Sequence, residues 1–168
     1  RERRQRLPAS VKLLPVLGSA ADSALVLRVF VGYGVQTVFH AAAFKHVPLV
    51  EANPLAGLAN NVGSTRVVCQ AAMAAGVSEL VLISTDKAVR PTNVMGASKR
   101  LAELVVQASA LELSQSAKAH HRQTGKGLTN ALVTLRQLQR GCLNYQLRKA
   151  LASAHHIGGT HRFICRNK

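Results

Sequence analysis

The chain of 168 residues is 48% hydrophobic but only 4% aromatic, with no tryptophan, so one aliphatic, alanine-rich core and a single domain are expected. Its net charge of +15 invites a polyanion partner, yet ten of the 22 Lys+Arg and none of the seven Asp+Glu fall in residues 113–168. A nucleic-acid role beyond non-specific phosphate contact by that segment is therefore not expected.

In chain order, residues 1–6 form a solvated basic run that is not followed by the apolar stretch of a signal peptide. No apolar run reaches the roughly 18 residues of a spanning helix, so a soluble, cytoplasmic chain without a membrane segment is expected. Residues 11–17 are apolar but contain Pro15, which reads as an edge strand or an irregular segment. Residues 23–33 have helical spacing and are stopped by Gly32 and Gly34; Asp22 stands where an N-cap belongs.

The first strand is predicted over residues 37–43 and ends in His40 and three alanines, Ala41, Ala42 and Ala43. Small residues there allow close approach of a flat ligand or simply close packing. Lys45 and His46 precede a helix over residues 51–59 that Pro54 interrupts. Asn60 and Asn61 lead into a helix over residues 66–75, closed by Gly76. The second strand, residues 79–84, runs into Ser84-Thr85-Asp86-Lys87. After Asn93 a helix carries Met95 and Lys99 four residues apart on one face, continues through Leu101, Leu104 and Val105 toward Leu111, and presents Arg100 and Glu103 to solvent.

Residues 128–151 have loosely spaced leucines, a basic amphipathic pattern broken by Gly141, and residues 155–168 have no clear period. Cys69, Cys142 and Cys165 lack CxxC spacing, and the pairs His120-His121 and His155-His156 point in different directions on a helix, so neither a disulfide framework nor a metal site is expected. Alternating strands and helices with polar residues after each strand are the pattern of an open parallel α/β sheet with a nucleotide crevice. No GxGxxG turn occurs in the chain, so the usual pyrophosphate-binding element is missing and a fragment is expected.

The runs VFHAAAFKHVPLVEANP, NNVGST and LVLISTDKAVRPTNVMGASKRLAE resemble the polysaccharide-biosynthesis branch of the extended short-chain dehydrogenase/reductase family, which includes the UDP-N-acetylglucosamine 4,6-dehydratases. The resemblance implies a partial NAD(P)-binding Rossmann-type parallel sheet with helices on both faces over residues 1–112. It implies NAD as cofactor, with NADP as the alternative, and a UDP-sugar substrate. Asp22 would lie by the adenine; Ala41, Ala42, Ala43, Asn61 and Ser84 would line the cofactor; Lys99 would hold its ribose. Lys45, His46 and Asn93 would face the sugar nucleotide, with Asn61 or Asn60 offering its amide to the active-site water network.

In such a dehydratase Lys87 would take the C5 proton, Asp86 would protonate the departing C6 hydroxyl and Thr85 would bind the C4 oxygen. Met95 occupies the usual tyrosine position and cannot transfer a proton. Intact relatives of the long type are anchored in the inner membrane with this domain in the cytoplasm, and homo-oligomers are expected of them. Near Leu113 the resemblance stops, and the Arg-Phe/Tyr-Gly-Asn-Val segment that should follow is not found. Residues 113–168 are expected to be an irregular or helical basic tail, either a natural terminus or an out-of-frame translation. A nucleotide-sugar epimerase fragment and a non-enzymatic, polyanion-binding remnant are the alternatives.

Overall fold

Two glycines in the left-handed region set the frame of the sheet. The computed structural model describes residues 12–124 and 163–165. In it α1 (Ser23–Gly32) and α4 (Ser64–Ala74) end alike. Gly34 (φ 55°) and Gly76 (φ 68°) reverse the chain. Their N–H groups donate to the carbonyls of Val31 (3.2 Å) and Met73 (3.3 Å), and the next residues, Val35 and Val77, donate to Phe30 (3.0 Å) and Ala72 (2.9 Å). This Schellman arrangement satisfies the last carbonyls of each helix. It also delivers a buried valine just ahead of each strand.

The strands β1 (Thr37–His40) and β2 (Glu79–Leu82) pair in parallel, from Thr37 opposite Glu79 to His40 opposite Leu82. The Gln36 carbonyl accepts from Ser78 and Glu79 at one end, and the His40 carbonyl accepts from Ile83 at the other. Both strands are shorter than expected, because Ala41–Ala43 and Ser84 leave the ladder to form loops. A third strand, β3 (Phe163–Cys165), pairs in parallel on the other side of β1, giving the order β2-β1-β3. It lies in a stretch whose sequence has no clear period.

Alternation along β1 and β2 turns Val38, Leu80 and Leu82 to one face. There they join one apolar cluster with Val26, Val29 and Phe30 of α1, with Val68, Cys69, Ala71 and Ala72 of α4, and with Ala102 and Val106 of α5 (Val94–Thr124). The helix α4 packs between α1 and α5, its alanines permitting close approach. Helices expected on both faces are thus described for one face; on the reverse face Val81 is buried while Thr37 and Phe39 are half-buried. Full burial of a side chain such as Leu80 stabilises the fold by about 1.5–3 kcal/mol.

Between β1 and α4 the chain forms α2 (Val47–Ala52), α3 (Pro54–Leu58) and a π-turn (Ala59–Gly63). Pro48 and Pro54 both stand in first turns, where a missing N–H costs nothing. Pro54 therefore starts a helix where an interruption was expected, and Asn53 (φ −136°, ψ 63°) takes up the bend. Residues 12–17 are irregular, in keeping with Pro15. The helix α5 continues through Leu113 to Thr124 as one element. The amphipathic pattern at residues 128–151 and the pair His155-His156 lie outside the described residues.

Gly76→Ala is expected to destabilise the chain by about 1–2 kcal/mol, because alanine resists positive φ. Gly32→Ala, inside α1 with open space at its Cβ, is expected to stabilise by roughly 0.5–1 kcal/mol. Urea denaturation of the two variants checks both signs.

Candidate active site

The π-turn is where the crevice is tied together. It aims Asn61, 1% exposed, inward. The Asn61 Oδ1 accepts from the Phe44 N–H at 2.6 Å, and Nδ2 donates to the Phe44 carbonyl (3.1 Å) and to Ser98 Oγ (2.8 Å). Ser98 Oγ donates in turn to the Met95 carbonyl at 2.7 Å. The loop after β1 and the first turns of α5 are thereby joined through one side chain. Both amide hydrogens are committed to protein groups, so Asn61 shapes the loop and does not offer the N–H implied by the resemblance.

Beneath the same place lies His40, at 0% exposure. Its Nε2 is 3.1 Å from Thr65 Oγ1, whose own proton goes to the Asn61 carbonyl at 2.8 Å. A hydroxyl has one proton to give, so Nε2 carries the hydrogen and Nδ1 is the bare acceptor; Nδ1 is buried without a partner. Burial, and then the positive charge of Lys99, lower the imidazole pKa to about 4. His40 is neutral at physiological pH, and the influence of Lys99 on it puts that lysine's charge near the carboxyl end of β1. Lys99 itself is half-buried.

The second strand ends on Ser84, which donates to Glu103 Oε1 at 2.5 Å. Arg100 donates to Glu103 Oε2 at 2.8 Å, its own side chain 44% exposed. Glu103, expected in solvent, is instead 2% exposed. A buried carboxylate is tolerated when both oxygens have partners, and here a hydroxyl and a guanidinium supply them. The spacing Lys99–Glu103 already put this carboxylate on the lysine's face of the helix. Because its proton goes to Glu103, Ser84 has only lone pairs left for any ligand.

Beyond Ser84, Thr85 Oγ1 donates to Asp86 Oδ1 at 2.7 Å. That bond, ahead of smaller backbone and Lys87 contributions, holds the exposed Asp86 carboxyl below the usual carboxylate range. A short 3-10 turn, Asp86–Ala88, packs on α5, anchored by the fully buried Ala88. The side chains of Asp86 and Lys87 are exposed. A Cβ at Gly96 would fall 2.5 Å from the Lys87 carbonyl oxygen, so glycine is needed for this contact. Met95 is 1% exposed and packs inside.

The remaining expected residues divide. Ala42 belongs to the core, Ala41 is exposed and Ala43 half-buried. Lys45 and His46 are exposed on the loop that Asn61 holds, His46 at the head of α2. Asn93 caps α5, its Oδ1 accepting from the Gly96 N–H at 2.8 Å. Glu51 supports the same end, accepting from the Val94 N–H at 2.5 Å. Asp22 caps α1 through the Leu25 N–H at 3.0 Å, which is the local reading of its position. Sequence reasoning did not single out His40, Gly96, Ser98 or Glu103 as site residues. Among the described residues no group of His, Cys, Asp and Glu is placed to hold a metal, and no helix is long and apolar enough to cross a membrane.

A parallel α/β sheet with its polar groups gathered after the carboxyl ends of β1 and β2 defines a Rossmann-type protein. The family described as "Polysaccharide biosynthesis protein" matches residues 1–125. The chain belongs to that family. It is 45% identical over 97 residues to the capsular polysaccharide biosynthesis protein CapD of Staphylococcus aureus, covering 58% of this chain and 16% of that protein. It is 47% identical over 78 residues to a UDP-glucose 4-epimerase of Rickettsia canadensis, covering 46% of this chain and 23% of the epimerase. In structure it is similar to DesIV, a dTDP-glucose 4,6-dehydratase of Streptomyces venezuelae with NAD and TYD bound (TM-score 0.54, 26% identity, 73% of this chain and 36% of that one). The chain thus spans under two fifths of each of these proteins.

Two outcomes are expected. Gly96→Ala displaces the Lys87 backbone or the α5 terminus, with a stability loss on the order of 1–3 kcal/mol typical of overpacking, measurable by denaturation and by amide shifts at residues 86–88. For His40, the unfolded group titrates near 6.5 and the folded one near 4, so on acidification the unfolded chain takes the proton first. Its contribution is constant above the unfolded value, and stability falls as pH drops from about 6.5 to about 4, by on the order of 3 kcal/mol. In His40→Gln that part of the pH dependence is expected to be flat.

Proposed function

We propose that the chain is the acid–base portion of an NAD-dependent nucleotide-sugar 4,6-dehydratase, of the UDP-N-acetylglucosamine type, acting in surface polysaccharide biosynthesis. The observation that carries this reading is the Thr85-Asp86-Lys87 turn at the end of β2, packed on the first turn of α5, the helix that carries the buried Met95 and Lys99. The family assignment and the NAD-bound dehydratase of similar fold support it. The exposed Ala41 and half-buried Ala43 leave open backbone after β1, and Lys99 stands beside that loop, an arrangement that suits NAD.

When bound, NAD would supply the redox chemistry, the exchange of a hydride between sugar C4 and C6. Lys99 would hold the ribose hydroxyls as a point charge. Lys87, exposed in the turn, would remove the C5 proton once the C4 ketone has acidified it. Asp86 would protonate the C6 hydroxyl as it leaves, for which a depressed carboxyl pKa is unsuited. The main cause of that depression is the Thr85 hydroxyl. When Thr85 turns that proton to the C4 oxygen of a sugar, Asp86 loses the bond, and its pKa rises as substrate covers it. Seating the sugar and arming the acid are then one event. Lys45 and His46 would contact the sugar nucleotide from the loop.

The relative named as an epimerase gives the second reading its support. That reading has no use for a lysine base at C5, so the product distinguishes the two. The chain alone is expected not to turn over UDP-N-acetylglucosamine, since it has no GxGxxG turn to bind the cofactor diphosphate. NAD or the UDP-sugar is still expected to raise its melting temperature, and a polyanion is not. A salt-sensitive rise with polyanion alone overturns the enzyme reading. Should a 4-keto-6-deoxy product form, Lys87→Ala is expected to abolish it and Met95→Ala to reduce it far less.

A further inference from the structure

Glu103 is a buried carboxylate with no part in the acid–base scheme above. It costs free energy to bury, and its two oxygens are engaged in opposite directions: Oε1 by Ser84, the residue before Thr85, and Oε2 by the half-exposed Arg100. The Ser84 bond links α5 to the first residues beyond β2. Three residues further on, the Lys87 carbonyl rests against Gly96 of the same helix. The turn from Ser84 to Lys87 is therefore fixed to α5 at both ends, by a hydrogen bond at one and by a close packing contact at the other.

We infer that Glu103, oriented by Arg100, is a positioning residue: through Ser84 it sets the conformation of the turn that carries Thr85, Asp86 and Lys87 and keeps it in register with Lys99. It acts through another residue, Ser84. Calling the turn acid–base machinery rests on the proposed function; the mechanical coupling of Glu103 to the turn does not.

The experiment compares the full chain with Glu103→Gln and Ser84→Ala by NMR without ligand. It follows the carboxyl titration of Asp86 and amide exchange at residues 85–88, against the amides of β1 and β2. In both variants Asp86 is expected to titrate at higher pH than in the parent, because the Thr85–Asp86 geometry relaxes. Exchange at residues 85–88 is expected to accelerate by about tenfold or more, as for a locally released segment, with little change in the strands. A merely structural loss would move strands and turn together. An unaltered Asp86 titration with unaltered turn exchange overturns the proposal, as does a change spread evenly over sheet and turn. Should Glu103→Gln fail to fold, Ser84→Ala, which removes the same bond at a small side chain, decides. Titrating NAD and UDP into the same samples separates the two readings: a parent chain that binds neither sinks the proposed function and leaves the turn measurement to stand or fall alone.

Discussion

One asparagine side chain is the constraint on which the crevice depends. At the position of Asn61 the structure needs an acceptor for the Phe44 N–H, a donor for the Phe44 carbonyl and a second donor for Ser98, all from one planar group. Aspartate has no donor and glutamine places the group one carbon further out. The Asn61 backbone carbonyl also takes the Thr65 proton, and that bond in turn decides which nitrogen of His40 is protonated. Leaving any of these buried groups unpaired would cost about 1–3 kcal/mol. The π-turn is the backbone cost of aiming this residue inward, a use that such turns often have at functional sites.

Charge is distributed by depth around this anchor. At the bottom, His40 is held neutral by burial and by the nearby lysine charge. One layer out, the Glu103 carboxyl is enclosed by Ser84 and Arg100. At the surface, Asp86 and Lys87 project from a turn whose backbone is clamped beneath them. A neutral imidazole under Lys99 avoids adding a second positive charge where a lysine must stay available. The arrangement leaves Asp86 and Lys87 as the exposed charges after β2, where a ligand would meet them.

Much of the fold was legible because it follows from local backbone chemistry. Gly34 and Gly76 read as helix stops and are the positive-φ residues of the described chain. The strand runs at Thr37 and Glu79 were visible in their apolar, β-branched content, and Pro15 correctly lowered the expectation for its segment. What was not legible depended on contacts distant in sequence. Arg100–Glu103 has the spacing of an ordinary surface ion pair, and only the arrival of Ser84 from β2 makes that glutamate internal. The Asn60-Asn61 pair announces a turn but not its π geometry. Asp22 was open to two readings, and its bond to the Leu25 N–H realises the capping one. Residues beyond Leu113 lack the apolar density of the preceding turns, yet a helix already packed on α4 can extend outward on propensity from alanine, glutamine and lysine.

The inventory of mobile protons narrows the chemistry that the crevice can support. Met95 has none and lies buried. The Ser84 proton is committed to Glu103, the Ser98 proton to the Met95 carbonyl, and the Thr65 proton to the Asn61 carbonyl. His40 carries its hydrogen toward Thr65 and keeps its free nitrogen sealed. Thr85 gives its proton to Asp86, and the exposed titratable side chains near the strand ends, among the described residues, are Asp86 and Lys87 with Lys45 and His46 on the loop. The first two are adjacent on one short turn. A base and an acid fixed side by side reach neighbouring atoms of one ligand without rearrangement, so the turn suits paired proton transfers at adjacent positions.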